Sequence, residues 1–99
     1  MPFVRTRVSV TGFQEAEVRS GLLDLLDEFL RRPWILRPVA EWDPMRSRLV
    51  VVIQYQGDAL EYYGRAAYDE IWDCVIACVN FSSEEIHFDV EESTVIQEV

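Results

Sequence analysis

The chain has 99 residues, 49% of them hydrophobic, and a formal net charge of −9; this fits one domain with one core and excludes a disordered tail. All nine cations are arginine, eight of them in residues 1–50 against seven Asp and Glu, while residues 51–99 set one Arg against eleven acids. That balance argues against nucleic acid or an anionic membrane as partner, because both require clustered cations.

Residues 3–10 alternate, with Val4, Thr6, Val8 and Val10 on one side and Phe3, Arg5, Arg7 and Ser9 on the other. A period of two predicts a strand with one buried face. Thr11, followed three residues later by Gln14, fits a helix N-cap with its capping-box partner. Val18, Leu22, Leu25, Leu26 and Phe29 then form one apolar stripe, so a helix is predicted from about Phe13 to Arg32, stopped by Pro33.

Trp34 to Trp42 reads as a second strand. Pro38 within it has no N–H to give a ladder, which places the strand at a sheet edge. Asp43-Pro44-Met45-Arg46 supplies a turn. Arg48 to Gln56 reads as a central strand because Leu-Val-Val-Val-Ile is apolar on both faces.

A second helix is predicted from Gly57-Asp58 to about Val79, with a core stripe of Leu60, Tyr63, Ala67, Ile71, Cys74, Val75 and Cys78. Glu84 to Val90 reads as the fourth strand, with Ile86, Phe88 and Val90 inward. Residues 91–99 form a tail in which Thr94 to Val99 alternates weakly, giving either a short extra edge strand or a frayed end. No apolar run approaches the ~20 residues of a membrane span. The start, Met-Pro-Phe-Val-Arg, lacks a signal-peptide pattern, so the cytoplasm is the expected compartment.

This order predicts an α+β, two-layer sandwich over the single domain 1–99. Right-handed crossovers give the antiparallel sheet order 4-1-3-2 of a ferredoxin-like plait. Many functions share that topology, so it licenses no chemistry by itself. Gly12, in the first strand-to-helix loop, resembles the effector-loop glycine of amino-acid-sensing ACT domains of the same topology. The resemblance is confined to that one position, and Thr11 stands where such domains usually carry proline. It implies a small-ligand sensor.

The chemistry-bearing motifs are few. Gly12, Gly21, Gly57 and Gly64 are isolated, so no phosphate-cradling loop is present and no cofactor is expected. Cys74 and Cys78 lie four apart on a helical pattern and read as small buried apolar residues. His87, Asp89 and Glu91 share one face of the fourth strand. They could bind a metal or move a proton, yet Arg5 and Arg7 on the adjacent strand make cross-strand ion pairing the expected role. No catalytic residue is assigned.

Two surfaces stand out. On the open sheet face, Phe3, Ile35, Val39, Val50 and Val52 form an apolar centre framed by Arg5, Arg7, Arg37, Arg48 and Glu41, as at a self-association interface. On the outer face of the second helix, Tyr62, Asp69, Trp72, Asp73 and Ile76 combine aromatic and acidic residues, a composition suited to binding a basic protein. The leading expectation is a non-enzymatic interaction or regulatory domain of inhibitor or immunity-like character, forming a homodimer and holding a basic partner. The alternatives are the small-ligand sensor and an enzyme or metal site at His87 and Asp89.

Overall fold

The alternation of residues 3–11 is realised as strand β1 (Phe3–Thr11), in which Val4, Thr6, Val8 and Val10 are completely buried. A computed structural model describes residues 3–56, 60–81 and 85–96, leaving aside the side chains of 60–64. After β1 come helix α1 (Glu15–Leu30), strands β2 (Ile35–Asp43) and β3 (Arg48–Gln56), helix α2 (Leu60–Cys78) and strand β4 (His87–Ile96). The four strands form one antiparallel sheet in the order β2-β3-β1-β4, the order expected from sequence. β2 pairs only with β3, as Pro38 requires.

Both helices cover one face of this sheet. Val18, Leu25 and Phe29 of α1 and Ala67, Ile71, Cys74 and Val75 of α2 share a core with Val8, Val10, Leu49, Val51 and Ile53. Burial of such side chains, at about 1.5–3 kcal/mol each, is the main stabilising term. The helices approach closely at Gly21, where a Cβ would stand 2.6 Å from the Cys78 carbonyl oxygen. No helix among the described residues is long and apolar enough to cross a membrane.

Several local expectations need correction. The α1 N-cap is Gln14, and its N–H donates to Glu17 Oε1 at 2.8 Å. Thr11 instead ends β1, because the strand runs on to pair with Arg48 and His87. Residues 91–96 do not form a separate edge strand; they continue β4 along β1. A bulge makes this possible. Arg7 pairs with Glu92 and Val8 with Val90, so Glu91 is an extra residue on β4.

A second irregularity lies in β2. Ile35 pairs with Tyr55 and Ala40 with Val51, so β2 takes five steps where β3 takes four. The extra residue falls at Arg37-Pro38, where Arg37 has φ 49°. It flips the parity of the strand start. Ile35, expected on the open face, is 5% exposed in the core. Trp34, read from sequence as the first residue of the second strand, precedes it and is exposed.

Candidate functional site

The open sheet face carries a different apolar set from the one its sequence suggests, with Leu36, paired with Gln54 and exposed, in the place expected for Ile35. Ile35 has left it for the core, as described above. Val50 remains on it, opposite Ser9 and Glu41, but is only 3% exposed within the single chain. Val52 and Phe3 are half-buried, and Val39, opposite Val52, is exposed. Ion pairs run alongside. Arg7 donates to Glu91 at 3.0 Å and Arg5 to Glu92 at 3.3 Å. Arg48 bridges Asp43 and Glu91. The bulge explains the doubling, since it turns both Glu91 and Glu92 toward arginines of this face.

Of the β4 polar residues singled out in the sequence, these pairs engage Glu91. Burial alone would raise the Glu91 pKa, but hydrogen bonds with Ser9 and Arg7 and the charge of Arg48 outweigh it and hold the carboxyl below its usual range. Asp43 is shifted the same way: desolvation opposes the shift, while Arg48 and the backbone N–H groups of Arg46 and Met45 prevail. His87 lies opposite Thr11 and Asp89 opposite Ser9. Among the described residues, no three His, Cys, Asp or Glu side chains converge as a metal site. The expected salt bridging is therefore present at Glu91, with Glu92 joining it.

The α2 surface is built differently. Trp72 is 43% exposed, and its ring lies 6.1 Å from that of Phe88 on β4. One turn earlier, Tyr68 meets the same Phe88 edge-on at 6.3 Å. Arg65 stacks over Tyr68 at 5.8 Å and donates to Asp69 at 3.3 Å. Asp73 is exposed and Ile76 half-buried. Asp73 and Asp89 carry no ion pair among the described residues. The Tyr62 side chain lies outside the described residues.

Phe88 and Val90 were expected inward, and both do face the helix side of β4, opposite Val10 and Val8. Val90 is nevertheless 49% exposed. β4 is the outermost strand, and α2 packs across β1, β3 and β4 without roofing that edge fully. Tyr68, Trp72, Phe88 and Val90 thus form an apolar surface along the α2–β4 border. Sequence periodicity assigns these residues to faces but not to an edge, so Phe88 and Val90 were missed as surface candidates. The signal available was β4's place at the end of the 4-1-3-2 order.

The remaining candidates are structural. Gly12 has φ 104°, and a Cβ there would stand 2.2 Å from the Glu85 carbonyl oxygen. The loop glycine is needed for its positive φ and for the approach of the chain entering β4. Cys74 is buried, and its thiol is pushed up to about 11, mainly by burial. Cys78 is shifted upward too, again first by burial, and its Sγ lies 3.7 Å from the Asp24 carbonyl oxygen. Raised thiol pKa values disfavour the reactive thiolate. No protein-family model matches the chain, and comparison with curated proteins found no match.

Proposed function

We propose that the chain is a non-enzymatic protein-interaction domain of ferredoxin-like topology, and that it binds a basic protein through the α2–β4 border. The observation that carries this reading is Trp72. A large aromatic side chain, 43% exposed, is held against Phe88 and next in sequence to Asp73, which carries no ion pair among the described residues; Asp89, on the other face of β4, carries none there either. Exposed aromatics on a fixed backbone supply buried area at little entropic cost, and surrounding charge supplies partner choice and association rate. Residues 51–99, which contain both elements, hold eleven acids against one arginine.

Self-association through the sheet face has less support. Of the five apolar residues expected to form it, Ile35 lies in the core and Val50 is covered within one chain. The small-ligand reading has less support, because the positive φ of Gly12 and the close approach of the Glu85 carbonyl already account for glycine at that position.

The test is affinity capture from a lysate of the source cells with two immobilised variants beside wild type. Trp72→Ala should lose the captured partner, and Leu23→Ser, altering an exposed apolar residue on α1, should retain it. A partner that is acidic, or that survives Trp72→Ala, contradicts the proposal.

A further inference from the structure

We infer that β4 is a docking edge for an extended basic segment of a partner protein, which joins the sheet as an additional strand. The inference rests on the interaction reading above and specifies the form of the partner.

The two edges of the sheet differ. At β2, Pro38 lacks an N–H, Arg37 has φ 49°, and the register shifts beside them. Such features blunt an edge against pairing. β4 is 10 residues long, and although it too carries a bulge, at Glu91, its described residues include no proline and no positive φ. No strand among the described residues pairs with its outer side. An uncovered edge strand presents unpaired N–H and C=O groups to any chain that can run beside it.

The two faces flanking this edge differ in chemistry. On the helix side lie Trp72, Phe88 and Val90, and on the open side Asp89 and Glu92. An added strand sends alternate side chains to opposite faces. The fitting occupant alternates apolar residues, set over Trp72 and Val90, with Arg or Lys, set beside Asp89, which carries no ion pair among the described residues, and near Glu92, which also pairs with Arg5. A second copy of this chain fits poorly. Pairing β4 with β4 would bring Asp89, Glu91 and Glu92 of each strand toward those of the other, and like charges across a ladder are destabilising.

The experiment uses the full chain and synthetic ten-residue peptides in which valine alternates with arginine. Affinity is measured by fluorescence anisotropy, and amide exchange is followed residue by residue. Two further peptides carry N-methyl groups on the arginine or on the valine backbone nitrogens. In an extended peptide these two sets of N–H groups point to opposite edges. Strand addition requires that one methylated peptide lose at least tenfold in affinity and the other bind much as the parent, with slowed amide exchange in β4. If both methylated peptides bind as the parent does, while Trp72→Ala abolishes binding, strand addition is overturned and the interaction surface stands. If a valine-glutamate peptide binds as well as valine-arginine, or the parent does not bind, the basic occupant is overturned. If the peptide slows exchange in β2 instead, the edge assignment is overturned.

Discussion

The indole Nε1 of Trp34 donates a hydrogen bond to Glu70 Oε1 at 2.9 Å, joining the approach to β2 to the middle of α2. Arg32, at the end of α1, donates to the same carboxylate and reaches Glu28 at 3.2 Å. Burial of Arg32 works against its charge, but Glu70 and Glu28 outweigh that and raise its pKa. One carboxylate on α2 therefore gathers donors from the α1–β2 connection.

Glu70→Gln should cost about 1.5–3 kcal/mol, because it weakens a hydrogen bond to a charged group. Trp34→Phe removes the N–H donor and leaves a smaller aromatic ring, for about 1 kcal/mol from the lost hydrogen bond. Urea unfolding gives both numbers. Two variants as stable as wild type would show that this junction contributes nothing to the fold.

Gly21 sets two effects against each other. Alanine gains about 1 kcal/mol in helix propensity over glycine. Its Cβ would stand 2.6 Å from the Cys78 carbonyl oxygen and 3.1 Å from the Val79 Cα, both backbone atoms that cannot swing aside. Overpacking costs about 1–3 kcal/mol. Gly21→Ala should therefore lower the unfolding midpoint, whereas a rise would mean the helices separate easily.

The parts of the fold that were legible in sequence depend on local chemistry. Pro38 marked an edge because it lacks an N–H, and the alternation of Val4 to Val10 marked a buried face. The parts that were not depend on pairing with another strand. A single extra residue at Arg37-Pro38 sends Ile35 inward, and another at Glu91 brings Glu92 to the arginines. Pro38 is compatible with a bulge as well as an edge, but nothing in β4 announces that its bulge falls at Glu91. The candidate surface was half legible: Trp72 and Asp73 follow from helical spacing, but Val90 is exposed only because the helices do not roof the outer strand.

Glu91 gives a pH dependence of known sign. Its pKa is depressed in the folded chain, so its contribution is present above the unfolded glutamate value of about 4.3 and is lost as pH falls through the lower folded value. Wild type should lose stability more steeply than Glu91→Gln over that acid window. Urea midpoints taken at pH 6 and at steps below pH 4.5 would show it. Asp43 adds a loss of the same sign that the variant retains. Parallel curves would mean that Glu91 is as well placed in the unfolded chain.

Cys74, its thiol pushed up to about 11, should resist a thiol reagent at pH 8 until the protein unfolds. Cys78, half-buried on α2, should react first, though more slowly than a free thiol. Mass spectrometry of the labelled protein separates the two sites. Rapid labelling of Cys74 would place it in an opening of α2 short of global unfolding.

Trp72 and its neighbouring carboxylates should act on different rates of partner binding. The ring lies against Phe88 and is 43% exposed, so a partner can bury its remainder. Trp72→Ala should cost 2 kcal/mol or more at a hot spot, about a 30-fold loss, carried by the dissociation rate. Asp73 stands outside any ion pair among the described residues, whereas Asp69 already pairs with Arg65 at 3.3 Å. Asp73→Asn should therefore slow association more than Asp69→Asn does, and the difference should shrink at high salt as screening takes over. Surface plasmon resonance at two salt concentrations separates these effects. The premise can be checked without a partner. With Trp34 and Trp42 replaced by Phe and the fold verified by circular dichroism, neutral acrylamide should quench the remaining indole efficiently. A Trp72 that acrylamide reaches no better than a buried indole is a core residue, and the α2–β4 surface then loses its anchor.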